Sequence, residues 1–220
     1  LLQQRKPAFI AELPTILESA PSLIDSARAA PLPMIVPGLD RRYTPATSRL
    51  RELMATRLGT AEEITLTLPS GSIAELDECI PPMIDWCRYL TGTPVAAIHS
   101  TAQMIEMQFH RSKSGAAPAR ARFVERATDD PSAAENHQAF SAVVRCQRGS
   151  ATLSGTRTIT WTHSDREHTE TLEGERDAAV VLLDLFCRRA IGGLVPIPTI
   201  DDALLAAALT EEIAEKRSAD

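Results

Sequence analysis

The chain has 220 residues, 44% of them hydrophobic, 4% aromatic, and a net charge of −6. That length suits one large domain or one and a fraction, with a core of Leu, Ile, Val and Ala because aromatics are scarce. The negative balance argues against a nucleic-acid or anionic-membrane partner, which needs a concentrated positive face, and no apolar run approaches the roughly 18 residues of a membrane span.

The start, LLQQRKP, lacks the shape of a signal peptide and lacks an initiator Met, which reads as a fragment. Pro7–Ala11 reads as a short buried strand running into Glu12-Leu13-Pro14. Ser19 can cap a helix opening at Ala20-Pro21, whose Leu23, Ile24 and Ala27 recur at helical spacing. Leu32–Val36 is a second short apolar run, stopped by Pro37-Gly38. Strand, helix, strand is one βαβ unit, the element of a parallel sheet.

Thr44 followed by Pro45 predicts a helix N-terminus, with Leu50, Leu53 and Met54 as its apolar stripe and Gly59 as its end. Glu63–Leu68 alternates as a strand should. Leu76–Gly92 reads as an amphipathic helix. Because proline in a helix interior costs several kcal/mol, its helical part is expected to begin at Pro81 or Pro82, after a turn over Asp77–Ile80. Pro94–Ser100 is a further strand.

Strands are expected near Met104–His110 and Arg122–Arg126, and two hairpins follow. Ala139–Cys146 turns into Ala151–Leu153 around Arg148-Gly149, and Thr158–Thr162 turns into Glu167–Leu172 around Ser164-Asp165. The basic residues Arg111, Lys113, Arg120, Arg122 and Arg126 read as a solvated loop. A helix over Asp177–Ala190 carries Val180, Leu183, Cys187 and Ile191 on one face, with Gly192-Gly193 as its stop. The last helix opens at Thr199 and Asp202, spaced like a capping box, with Leu205, Ala208, Leu209 and Ile213 as its apolar face. The fold class is therefore α/β with an α+β C-terminal part: a remnant of parallel sheet, then an open, largely antiparallel sheet packed against helices.

Cys79, Cys87, Cys146 and Cys187 form no C-x-x-C pair and read as buried free thiols of a cytoplasmic protein. The five histidines have no ligand spacing, so no metal is expected. Trp86 and Trp161 read as core or interface residues, and no G-x-S-x-G nucleophile motif occurs.

Met83-Ile84-Asp85-Trp86-Cys87-Arg88-Tyr89-Leu90-Thr91-Gly92 resembles the Gfo/Idh/MocA family of NAD(P)-dependent oxidoreductases. That family carries a helix of the form D-x-x-x-H-x-x-D-x-x-R-x-L-x-G, whose first Asp and His face the substrate. Asp85, Arg88, Leu90 and Gly92 fall in register; the first carboxylate is either Asp77 or Glu78. Arg5–Pro14 resembles the family's G-K-x-V-x-x-E-K-P segment, Asp40–Pro45 its R-R-F/Y-x-P element, and Phe186–Gly193 and Ala203–Ser218 its two late helices.

The resemblance implies a C-terminal portion of a Rossmann-like nucleotide-binding domain over 1–60 and a Gfo/Idh/MocA-like C-terminal α/β domain over 61–220. It implies NAD or NADP as cofactor, a small-molecule substrate, a homo-oligomer through the open sheet, catalytic carboxylates among Asp77, Glu78 and Asp85, and cofactor contacts from Glu12, Pro14 and Arg42. Two departures stand out. Leu13 replaces the family's E-K-P lysine, and Pro81 or Pro82 stands where the His belongs, and neither can transfer a proton. The Gly-rich G-x-G-x-x-G phosphate turn is absent from the sequence. The implied function is a dehydrogenase or reductase of a carbonyl, alcohol or imine, atypical at its catalytic positions. The alternative is a catalytically inactive relative acting as a ligand sensor or assembly subunit.

Overall fold

A computed structural model describes residues 6–10, 34–68, 76–101, 103–111, 117–125 and 141–219. Strands β1 (Ala8–Ile10) and β2 (Ile35–Pro37) pair in parallel, as the opening βαβ reading requires. The helix expected between them lies outside the described residues, as do Glu12, Leu13 and Pro14. A 3₁₀ turn at Asp40–Tyr43 leads into α1 (Pro45–Leu53), where Thr44 accepts a hydrogen bond from the Thr47 backbone N–H and Pro45 starts the first turn. The helix continues as a wider π-type turn over Met54–Leu58 and stops at Gly59, whose φ of 80° favours glycine.

Among the described residues eight strands form the main sheet: β3 (Ala61–Leu68), β4 (Val95–Ser100), β5 (Met104–Phe109), β6 (Arg120–Glu125), β7 (Ser141–Cys146), β8 (Gly149–Ser154), β9 (Thr158–His163) and β10 (Arg166–Thr171). Their spatial order is β10-β9-β8-β7-β3-β6-β5-β4. Only the β3–β6 pair is parallel; the others are antiparallel. The β9–β10 hairpin turns on Ser164 and Asp165, both with positive φ, the geometry that matches strand twist. The β7–β8 hairpin needs Gly149, because a Cβ there would lie 2.1 Å from the Thr162 carbonyl oxygen.

One face of this sheet is covered by helices. Ile64, Leu66, Ile105, Met107, Phe123, Val144, Leu153 and Ile159 point into a core closed by α1, α2 (Leu76–Thr91) and α4 (Ile200–Ala219). Trp86 is fully buried in it, and Trp161 is buried at the β9 end. A smaller cluster joins Ile35 and Leu39 to Ala203 of α4. Helix α3 (Ala178–Ala190) lies to the side against the 3₁₀ turn, with Phe186 5.8 Å from Phe9.

Four sequence expectations are corrected. First, α2 begins at Leu76, so Pro81 and Pro82 lie inside it. Proline holds a helical φ and loses only the bonds to the carbonyls four residues back, those of Asp77 and Glu78, while Ile80, Pro81, Met83 and Ile84 pack in the core and hold the turn.

Second, the α3 face of Val180, Leu183, Cys187 and Ile191 is exposed, and Leu182 is the buried residue. The helical side of the sheet is already filled by the other three helices. Cys187 is therefore not a buried thiol, whereas Cys87 and Cys146 are.

Third, α4 buries Ala203, Ala206, Thr210 and Ile213 and leaves Leu205 exposed. Small alanines admit close approach to α2, and the Thr210 hydroxyl is satisfied by the Ala206 carbonyl at 2.9 Å. Fourth, Arg120 and Arg122 sit on β6, and Arg122 pairs with Glu106 and Glu63.

Candidate functional site

Helix α2 holds the candidate carboxylates. Asp77 and Glu78 occupy its first turn, and their side chains lie outside the described residues. Asp85 sits two turns further on, 1% exposed. Arg42, presented by the 3₁₀ turn, donates to it through both arms of its guanidinium, with Nε 2.8 Å from Oδ2 and Nη2 closing on Oδ1. The Arg42 Nη2 also lies 3.2 Å from Oδ1 of Asp202 on α4. Arg88, one turn beyond Asp85, stands 3.9 Å from Asp85 and 3.8 Å from Asp202. Two acids and two bases thus tie together the 3₁₀ turn, the middle of α2 and the start of α4.

The local sequence explains each placement. Asp85 and Arg88 are three apart and share a helix face. Asp202 is the third residue of α4, and its Oδ2 accepts from the Thr199 backbone N–H at 2.9 Å and from the Thr199 hydroxyl at 3.2 Å. That is the return half of a capping box, and it leaves Oδ1 free to face Arg42. Tyr89 is flanked by two guanidiniums, Arg42 at 5.3 Å and Arg51 at 4.6 Å from its ring centre. The Tyr43 phenol, bonded to the Pro196 carbonyl, is pushed up to about 12 by burial.

The two acids titrate in opposite directions. Burial raises the Asp85 carboxyl above its ordinary value even against the hydrogen bonds from Arg42. Burial also acts upward on Asp202, but the Thr199 backbone bond, Arg42 and Arg88 outweigh it and hold Asp202 below its ordinary 3.8.

The signs follow from linkage. Asp202 contributes stability that is present above pH 3.8 and lost as pH falls through its lower folded value. Asp85 binds its proton more tightly when folded, so its ionisation costs stability as pH rises from 3.8 through its raised value. Asp202→Asn keeps an acceptor for Thr199 but removes the charge facing Arg42 and Arg88, and should lower stability at neutral pH by up to about 1 kcal/mol, the range for a partly exposed ion pair. Urea midpoints measured against pH should show the gap to wild type closing as the solution is acidified.

Arg42 and Asp85 form a two-pronged ion-pair clamp. Both oxygens of Asp85 accept hydrogen bonds from Arg42, and Arg42 presents its fork inward. A cleft of about 330 Å³ opens beside the clamp, lined by Arg42, Arg88, Tyr89, Gly92, Thr93, Pro94 and Asp202. A larger one of about 680 Å³ lies between Met34-Ile35 and the connection from Leu194 to Asp201. Among the described residues no group of His, Cys, Asp and Glu could hold a metal. Of the nominated cofactor contacts only Arg42 is among the described residues, and its guanidinium is engaged by Asp85.

Sequence reasoning singled out Asp85 and Arg42 but not their mutual bond. It saw Asp202 only as a cap. The Thr199-x-x-Asp202 spacing gave half its role, and the approach of α4 to Arg42 is a tertiary fact.

No protein-family profile and no curated protein matches this chain. Solved structures do match over nearly all of it. UDP-N-acetylglucosamine 3-dehydrogenase from Acidithiobacillus ferrooxidans superposes with a TM-score of 0.66 at 19% identity, covering 92% of this chain and 67% of the enzyme. Levoglucosan dehydrogenase in complex with NADH and L-sorbose gives 0.66 at 14%, covering 92% and 68%. The transcriptional regulator Gal80p from Kluyveromyces lactis gives 0.68 at 12%, covering 92% and 65%. The chain has the α/β fold of Gfo/Idh/MocA-type oxidoreductases, on which both dehydrogenases and a regulator are built.

Proposed function

We propose that this chain is the substrate-side part of an NAD(P)-dependent oxidoreductase-type protein acting on a carbonyl, alcohol or imine. The observation that carries the reading is the α2–sheet architecture, with β1 and β2 as a parallel remnant beside it, shared with dehydrogenases over 92% of the chain. In this reading residues 1–60 close a nucleotide-binding domain and residues 61–220 form the substrate domain. The dinucleotide is held by strands and a phosphate turn outside this sequence, with Glu12, Pro14 and Arg42 nearest to it. NAD(P) supplies the hydride chemistry when bound. The chain's own part is to shape the substrate cleft, with a carboxylate of Asp77 or Glu78 to hold or move a proton. The protein works in the cytoplasm on a small molecule, as a homo-oligomer through its open sheet.

A second reading is favoured by α2 itself. Pro81 or Pro82 holds the position of the family's His, Leu13 that of its Lys, and Asp85 is locked by Arg42. A catalytically inactive relative serving as ligand sensor or assembly subunit fits those losses, and a regulator shares the fold. Titrating NADH and NADPH into the gene's full-length product, by fluorescence or calorimetry, separates the readings. Binding with turnover of sugars, polyols or imines supports the first. Binding without turnover supports the second, and no nucleotide binding sinks the dehydrogenase.

A further inference from the structure

The two edges of the main sheet are finished differently. At one edge, β4 is interrupted by a bulge between Val95 and Ala97, and Lys216 of α4 donates to its Ile98 carbonyl at 2.8 Å. Bulges and lysines are devices that keep an edge strand from recruiting another chain. At the other edge, β10 has neither. It pairs with β9 residue for residue from Arg166 to Thr171, contains no Lys and no Pro, and is exposed at every position but the partly buried Glu170.

The hairpin turn fixes which backbone groups this edge presents. With Ser164 and Asp165 as the turn, His163 and Arg166 close the loop as a hydrogen-bonded pair. The N–H and C=O of Arg166, His168 and Glu170 therefore point at β9. The Leu172 N–H keeps the same phase, donating to the Arg157 carbonyl at 2.9 Å. Those of Glu167, Thr169 and Thr171 point away from the sheet, where no further strand of the described residues pairs.

We propose that β10 pairs edge to edge, antiparallel, with β10 of a second copy of this chain, in a register centred on His168. This contact lies on the edge of the sheet and is separate from the face contact of the open-sheet reading above.

Charge selects both the register and the occupant. Charged side chains on an edge ordinarily repel a second strand. Centring on His168 instead sets Arg166 opposite the partner's Glu170, and Glu167 opposite the partner's Thr169, a pair whose outward backbone groups bond to each other. The two-fold relation repeats each pair. Glu170 is already fixed in place, since Arg49 donates to its two oxygens at 2.8 and 2.9 Å and the Trp161 Nε1 donates to Oε1 at 2.8 Å. Oε2 keeps a lone pair for a second guanidinium. Centring on Glu167 would set that carboxylate against itself, and centring on Thr169 would set Arg166 against Leu172 and lose the ion pairs. The strand thus complements its own reverse, which argues for a second copy over an unrelated strand. So short a strand buries less than a standard interface, so the association should depend on concentration.

Cysteine pairing reads the register. In a Cys187→Ser background, which removes the exposed native thiol, His168→Cys should give a disulfide-linked dimer under a mild oxidant. Residues facing each other in a non-hydrogen-bonded pair have Cα atoms about 4.5 Å apart, within the span of a disulfide. Thr169→Cys should stay unlinked, because the two copies of that residue then lie beyond the roughly 7 Å limit. Thr169→Pro reads the backbone bonding. It deletes an N–H that faces away from β9, a position where an edge strand tolerates proline. At concentrations where the wild type associates, the variant should sediment at half its mass.

Linkage through Thr169→Cys, or no linkage through His168→Cys, would overturn the proposal. So would a wild type that stays monomeric at every concentration. A folded Thr169→Pro variant with the wild-type mass would remove the edge contact and leave the face contact standing. Should Thr169→Pro not fold, the exposed Arg166 carries this arm. Arg166→Glu should raise the dissociation constant roughly tenfold, with the effect shrinking at high salt; an unchanged constant would overturn the register.

Discussion

Replacing Asp85 with Ala should destabilise the folded chain by about 3–5 kcal/mol, the cost of leaving a buried charge without its partner. Arg42 would keep its 3.2 Å contact to the half-buried Asp202 and its place beside the Tyr89 ring. Both its Nε and Nη2 donors would lose the Asp85 carboxylate while the guanidinium stays largely buried. The paired change Asp85→Leu with Arg42→Met removes both charges at once and should cost less than Asp85→Ala alone, since a matched apolar pair is often neutral. Urea unfolding of wild type, Asp85→Leu, Arg42→Met and the double variant gives the coupling directly. A double variant as unstable as the sum of the singles would mean that the clamp is not what holds α2 to the 3₁₀ turn. The clamp also assigns Asp85 a positioning role: its loss should act on stability, with ligand affinity of the remaining folded protein kept.

Trp86→Ala is the second large effect, at about 3–5 kcal/mol for a fully buried large aromatic. The ring fills the space between α2 and α1, and its Nε1 donates to the Thr47 hydroxyl at 2.9 Å. Thr47 in turn accepts from the Thr44 hydroxyl at 2.7 Å, and Thr44 accepts from the Thr47 backbone N–H. The tryptophan therefore secures the N-terminal cap of α1 as well as the core. Trp86→Phe keeps most of the apolar contact but removes the donor, so it should cost about 1–2 kcal/mol. Thermal unfolding should rank wild type above Trp86→Phe above Trp86→Ala; equal losses for the two variants would remove the hydrogen bond from the account.

Much of the fold was legible because its signals are local. Thr44-Pro45 named a helix start by cap chemistry. Ser164-Asp165 named a turn between two alternating runs, and the structure places both residues at positive φ. The alternation of Glu63–Leu68 gave a strand with one buried face. What stayed hidden depends on contacts distant in sequence. Nothing in β3 says that it pairs with β6 in parallel on one side and β7 antiparallel on the other. The apolar stripes of α3 and α4 were read from spacing alone; α3 meets a sheet face the other helices already cover, and α4 turns its small residues toward α2. The prolines of α2 argued for a later start than the structure has, since packing of Ile80, Met83 and Ile84 outweighs two lost helical bonds.

The candidate site divides the same way. The register of Asp85 and Arg88 was visible as spacing, and the absent His and Lys were visible as substitutions. The Arg42–Asp85 bond joins positions 43 residues apart, and the third member, Asp202, arrives from the last helix. Charge type and spacing nominated these residues as catalytic or cofactor-binding. The structure brings Arg42, Asp85, Arg88 and Asp202 together in a clamp.

The central claim is an oxidoreductase architecture that binds a dinucleotide when the whole protein is present, with Asp85 supporting the fold rather than the chemistry. Calorimetric titration of NADH and NADPH into the full-length product, wild type and Asp85→Asn side by side, tests it most directly. The account predicts saturable binding of one of the two nucleotides by wild type, and the same affinity for the folded fraction of Asp85→Asn. No binding of either nucleotide by the wild-type protein would contradict it.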